Sequence, residues 1–219
     1  MRSNQSASIY EKLSRAILQG DIPPGAKLSE PALAEQLQVS RAPVREAIRR
    51  LQERGIVTHV PNQGVRVVSP SLDEFLAILD VREALEAMAC RLAATNMNDG
   101  AITELQEIVA MHGHALEADP AGPYLQQDFD TDFHVRVGRG CGNPVLTDLL
   151  CDQFYPRLKL CRARHRSVKG RGLAAWKEHG RIMEALAERD PDSAEFTMRR
   201  HVKAARAALI AATSPRHQY

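Results

Sequence analysis

Long apolar runs are missing from this sequence of 219 residues. None approaches the roughly 18 apolar residues that a membrane span requires, and the N-terminus lacks the apolar core of a signal peptide. No membrane partner is expected, and the expected location is the cytoplasm. Cysteine is scarce too. Cys90, Cys141, Cys151 and Cys161 show no C-x-x-C spacing, which argues against a disulfide scaffold and leaves buried thiols as the reading ahead of redox sensing. Strand periodicity is absent after residue 70, so any sheet belongs to the N-terminal third. Net charge is small as well, at +2, but it is unevenly spread. Residues 1–70 hold ten Lys/Arg against six Asp/Glu, whereas residues 71–219 hold nineteen against twenty-one. With 44% hydrophobic and 26% charged residues, what remains is an ordinary soluble chain, long enough for one large domain or two small ones.

The basic third contains the most informative stretch, Val39 to Leu51. Ser40 is placed to cap a helix that starts at Arg41, and Pro43 falls in the first turn, where no intrahelical donor is lost. Val44, Ala47, Ile48 and Leu51 keep the spacing of one buried stripe, while Arg41, Arg45 and Arg49 repeat every four residues. At about 100° per residue the two stripes are centred roughly 110° apart, so the arginines lie beside the buried seam rather than opposite it. A helix half sunk in its domain can then lay its N-terminal end on phosphates and base edges. Taken alone, such a stripe also fits a solvated face.

The flanks decide between the two. Upstream, Ser29 caps a short helix carrying Leu33, Ala34 and Leu37, and Gln38-Val39 leaves room only for a tight turn, which makes a helix-turn-helix. Gly55 ends the second helix. Ile56 to Val60 and Val65 to Val68 then read as a hairpin wing around Pro61-Asn62-Gln63-Gly64. Ahead of all this, Ser8 and Glu11 form a capping box for a first helix, stopped at Gly20, and Asp21 to Gly25 is a rigid two-proline turn.

Pro/Ser punctuation at Val68-Ser69-Pro70-Ser71 places a boundary near residue 70. Beyond it six helices are expected: from Ser71 to about Ala94, from Gly100 to Leu116, from near Pro123 to just before Gly138, from Asn143 and Pro144 onward with a kink at Pro156, from Leu173 to Glu188, and from Asp190-Pro191 to about Ala212. The fold expected is therefore mainly α. A winged helix-turn-helix of three helices plus a β-hairpin wing (1–70) precedes an all-α antiparallel six-helix bundle (71–219).

A second constellation lies in the bundle. Asp130 and His134 are four apart on one helix and point the same way, with Phe129, Phe133 and Val137 around them. His179 lies between Trp176 and Met183, and His201 shares its side with Thr197, Met198, Ala204 and Ala205. Each histidine alone reads as a satisfied core residue. Three facing inward from three helices, with one carboxylate, suit a divalent first-row metal: zinc first, then nickel, manganese or iron. Coordination positions stay open for a further ligand.

These residues match a known family. Ser40-Arg41-x-Pro43-Val44-Arg45-Glu46-Ala47 with Gly55-Ile56-Val57 resembles the winged helix-turn-helix of GntR-type bacterial transcriptional regulators. Asp130-x-x-Phe133-His134, Trp176 with Glu178-His179, and Met198-x-x-His201 resemble the FCD ligand domain of the FadR subfamily, and six C-terminal helices are similar to its shorter, VanR-like branch. The resemblance implies that Ser40, Arg41, Pro43 and Arg45 belong to the DNA face, that Arg49 reaches a phosphate, and that Gly64 lets the wing approach the minor groove. It also implies that Asp130, His134, His179 and His201 hold a metal that helps bind a small organic acid. Pro31 stands where the fatty-acid-responsive prototype has a DNA-contacting arginine, so that contact is not carried over. All four ligands together argue against an acyl-CoA effector, which the prototype binds without a metal.

A regulator of this kind holds two reading heads about one DNA turn apart, roughly 34 Å, so a homodimer on a palindromic double-stranded operator is implied. An arginine in the cavity would clamp the effector carboxylate, and the candidates are Arg82, with Asn143 second. For Arg82 a surface pair with Glu86 one turn on fits equally well. Arg157 to Arg171 holds seven Lys/Arg and reads as a solvated helix end and loop, from which one could face the pocket. Two rivals stay open: a metal-dependent hydrolase or oxygenase fused to a DNA-binding head, and a direct metal sensor. Against the enzyme, no acid or base is evident beside the ligands, since Glu178 points about 100° away from His179 on its helix.

Overall fold

The computed structural model describes residues 2–118, 133–162 and 171–213. Two compact units divide the chain, Met1–Ser71 with Gln153–Ala163, and Leu72–Asp152 with Arg164–Tyr219.

In the first unit, helix α1 covers Arg2–Gln19, beginning ahead of the expected Ser8 capping box. It buries Ile9, Leu13 and Ile17 at helical spacing. Helix α2, Glu30–Gln36, is capped by the Ser29 side chain, which accepts from the Ala32 N–H. A left-handed Gln38 makes the tight turn into helix α3, Arg41–Glu53. Two strands follow, β2 at Val57–Val60 and β3 at Gly64–Val67, paired antiparallel with Thr58 opposite Arg66. A third strand, β1 at Lys27–Leu28, pairs with the other edge of β3. Two residues carry no detectable alternation, so β1 leaves no mark in the sequence pattern. The three helices and the sheet close on one apolar core, which Leu160 of helix α8 (Tyr155–Arg162) also joins. The main segment of this unit ends at Ser71, beside the expected break near residue 70, and Gln153–Ala163 groups with it.

The second unit contains, among the described residues, only helices. They are α4 at Leu72–Asn96, α5 at Asp99–Ala118, α6 at Phe133–Gly140, α7 at Pro144–Thr147, α9 at Arg171–Ala187 and α10 at Pro191–Thr213. Counted along the chain, with α7 and α8 joined by a π-helical stretch at Asp148–Phe154, these make the six expected helical passes. The π turns have a cause in Pro156. Its ring and missing N–H cannot complete an i→i−4 ladder, and the chain widens into π turns just before it. Ala87, Cys90, Ala93 and Ala94, all fully buried, let neighbouring helices approach α4 closely. Along the outer edge of the α4–α10 pair, Arg199 meets Glu83 and Arg206 meets Asp80. No helix among the described residues is long and apolar enough to cross a membrane. All four cysteines are free and buried.

Candidate metal centre and nucleic-acid interface

Helix α3 sinks the four residues of its apolar stripe, Val44, Ala47, Ile48 and Leu51, to 0–2% exposure. Arg41, Arg45 and Arg49 remain exposed beside them, as the 100° step requires. Ser40 occupies the cap position with extended backbone, but its side chain makes no cap hydrogen bond, contrary to expectation. Its hydroxyl stays exposed and available. Pro43 lies in the first turn. Gly64 opens β3 at φ +83°, a left-handed conformation that a side chain would resist, so the wing narrows to bare backbone there.

Acids of the same unit hold two of the arginines. Arg45 Nε donates to Glu30 Oε2 at 3.1 Å. Arg49 donates to both Glu46 oxygens, at 3.0 and 2.7 Å, and to Glu53. The hydrogen bond from Arg49 holds the Glu46 carboxyl below its ordinary range, and Glu46 in turn raises Arg49.

In the second unit, His134 of α6, His179 of α9 and His201 of α10 meet, at 2%, 0% and 4% exposure. One ring nitrogen from each lies within 4.8 Å of the others, and His134 Nε2 is 3.2 Å from His179 Nε2. Phe133 stacks on His179 with ring centroids 4.1 Å apart, which fixes that ring against the core. Carboxylates take the far side of the other two rings. Glu86 Oε2 is 2.9 Å from His134 Nδ1, and Glu178 Oε2 is 2.7 Å from His201 Nδ1. The contact between His201 and Glu178 is a hydrogen bond, which commits Nδ1 and leaves Nε2 as the nitrogen a metal would take, whereas Glu86 Oε2 approaches His134 Nδ1 by distance alone, without hydrogen-bond geometry. Burial pushes the His201 imidazole down to about 4, against the opposing pull of Glu178, so the ring is neutral near pH 7. Glu178 shows the converse balance. Burial pushes it up, but hydrogen bonds from His201 and from Arg171 at 2.9 Å outweigh that, and it lies below the usual carboxylate range.

Arg82 joins the same cluster. It is 3% exposed, its Nε donates to Glu86 Oε1 at 2.9 Å, and its Nη2 lies 3.1 Å from His134 Nε2. The pair with Glu86 exists, but it is buried. Asn143, by contrast, is exposed, and its Oδ1 is committed to the N–H groups of Val145 and Leu146 at the start of α7. Asp130 lies outside the described residues. Three buried imidazoles, two of them with a carboxylate beside Nδ1, fit a first-row divalent ion.

Three participants escaped the reading of the sequence. Glu178 does not face away: the interface between α9 and α10 lies about 100° from the His179 direction, so the neighbouring residue meets His201. Arg171, seven residues before Glu178 on α9, turns inward from the end of the basic run to meet it, and the i, i+7 spacing was its signal. Glu86 was visible as the partner of Arg82, though its approach to His134 was not.

Comparison with known proteins follows the same division. Residues 5–67 match bacterial regulatory proteins of the gntR family, and residues 77–204 match the FCD domain. The chain is similar to the HTH-type transcriptional repressor GlaR of Escherichia coli (strain K12), 30% identical over 88% of this chain and 90% of that protein. It is similar also to the Nta operon transcriptional regulator of Aminobacter aminovorans, 29% identical over 82% of each. Among solved structures, E. coli McbR/YncC shares the fold, with a TM-score of 0.77 at 24% identity over 95% of this chain and 98% of that one.

Proposed function

The chain belongs to the gntR family of bacterial regulatory proteins, with an FCD domain at residues 77–204, and is a ligand-responsive DNA-binding regulator rather than an enzyme; on that premise we propose that it is a cytoplasmic homodimer whose hold on a palindromic operator is set by a small organic acid bound beside a divalent metal. The observation carrying this reading is the convergence of three buried imidazoles, one ring nitrogen of each within 4.8 Å of the others, with a carboxylate beside Nδ1 in two of them. Residues 1–70 act as the reading head, and residues 71–219 as the effector and dimerisation domain. The six helical passes favour the VanR-like branch.

His134, His179 and His201, with Asp130 as the fourth ligand, would hold the ion, zinc ahead of nickel, manganese or iron. Bound there, it would supply a Lewis-acid position for a carboxylate. Glu178 orients the His201 ring by accepting from Nδ1, Arg171 keeps Glu178 ionised for that purpose, and Glu86 sets a carboxylate 2.9 Å from His134 Nδ1. Arg82 brings a guanidinium to the same point. Its Nη2 already donates to His134 Nε2, and once that nitrogen is engaged elsewhere the buried donor needs another acceptor. An effector carboxylate meets that need in a bidentate fork. On the head, Ser40, Arg41, Pro43, Arg45 and Arg49 form the face that enters the major groove, with Gly64 at the wing. An effector changes DNA affinity only through unequal binding to the gripping and released arrangements.

The test begins with dialysis of the full chain against chelator. Thermal shift is then followed with sugar acids, hydroxy acids and dicarboxylates, each with and without added zinc, since a true effector stabilises by mass action. An acid that raises the melting temperature only when zinc is present, and that alters operator binding, supports the reading. If no acid acts in either state while zinc alone changes DNA binding, the metal itself is the signal and the acid pocket is refuted.

A further inference from the structure

The three exposed arginines of α3 are not equivalent. Arg41 has no acidic partner among the described residues, whereas Arg49 is clasped on both edges by Glu46 and Glu53 of its own helix. Arg45 is held at one point only. Its Nε meets Glu30 Oε2 at 3.1 Å, and no acid engages Nη1 or Nη2 among the described residues. Glu30 is the first residue of α2, between the Ser29 cap and Pro31, so its backbone is fixed. Its side chain is 29% exposed against 69% for Arg45. A partly sunken carboxylate therefore grips the inner edge of a guanidinium and leaves the outer edge to solvent.

A carboxylate beside a DNA-facing arginine repels phosphate, which makes its presence there a cost unless it shapes what the arginine contacts. We propose that Glu30 is a positioning residue that makes Arg45 a reader of guanine rather than of backbone. A guanidinium tethered through Nε presents its Nη1/Nη2 pair end-on, and that pair matches the O6 and N7 acceptors of guanine in the major groove. Guanine carries no net charge at that edge, so Glu30 does not oppose it. A phosphate reaching for the same fork would meet Glu30 at short range. Tethering also removes side-chain freedom before DNA arrives, which lowers the entropy lost on binding. Each half-site then contains one G·C pair opposite Arg45.

This inference rests on the DNA-binding function above, and one experiment separates the two. The full-length protein and the variants Arg45→Ala, Glu30→Ala and Glu30→Gln are each used to select sequences from a pool of random duplex DNA. Enrichment of no sequence by the unaltered protein would overturn the regulator reading and this inference together. With enrichment, the position that loses its preference in Arg45→Ala is expected to be a guanine. Glu30→Ala should relax that same position by about ten-fold while binding to unselected DNA stays equal or rises, because an acid has left the phosphate-facing surface. Glu30→Gln, which keeps an acceptor for Nε, should retain the preference. The proposal is overturned if Glu30→Ala leaves that guanine preference intact, or if the position governed by Arg45 is not guanine.

Discussion

Replacing Glu86 by alanine tests the buried cluster most directly. Glu86 accepts from Arg82 Nε at 2.9 Å and lies 2.9 Å from His134 Nδ1, with both ion-pair side chains at most 4% exposed. Its removal strands a guanidinium that cannot reach water, and breaking one side of a buried ion pair costs about 3–5 kcal/mol. For a chain of 219 residues, each kcal/mol shifts the melting temperature by about 2–4 °C, so a fall of about 6–20 °C is expected. The double variant Arg82→Met with Glu86→Met removes the stranded charge. What remains is the loss of the carboxylate beside His134 Nδ1, at about 1–3 kcal/mol or less, and a change of tautomer can relieve part of that. The double variant should therefore be more stable than Glu86→Ala alone, in urea unfolding followed by circular dichroism. If Glu86→Ala costs less than about 1 kcal/mol, the value typical of an exposed pair, or if the double variant is the less stable, Arg82 is not the buried charge described above.

His201→Ala should abolish stoichiometric metal in the purified protein, read by elemental analysis, with helical content retained; one ion per chain in that variant would refute the centre. Ser40→Ala should leave stability within a few tenths of a kcal/mol because no cap bond is lost, whereas Ser29→Ala should cost about 0.5 kcal/mol or more, so equal losses in thermal unfolding would contradict the cap assignments. Gly180→Ala should stabilise by about 0.5–1 kcal/mol, since the position is inside α9 and an added Cβ meets nothing within 4 Å; a lower melting temperature would show a hidden neighbour. Arg45→Ala should weaken operator binding by about 1–3 kcal/mol in a gel-shift titration, and an unchanged affinity would remove it from the DNA face.

Much of the fold was legible because its signals are local. The stripe Val44, Ala47, Ile48, Leu51 needs only the helical period, and all four side chains are buried where that period puts them. Asn143 before Pro144 opens a helix through its own side chain. Pro156 marks a disturbance through its missing N–H, although the disturbance took the form of π turns in the residues before it. Strand β1 was not legible, since its two residues are strand only through pairing with β3, distant in sequence.

Residue spacing by itself determined which side of each helix is apolar, where helices open and stop, and that three histidines share inward faces. Only the packed chain decided that Arg82 and Glu86 form a buried pair instead of a surface one, that Glu178 turns to His201, and that Leu160 joins the core of the N-terminal unit. The reason is physical: a helix's own period sets directions around its axis to within about one residue's step, whereas the distance between two side chains on different helices depends on how those helices cross. Second-ligand hydrogen bonds, tautomers and buried charges all live in that second quantity.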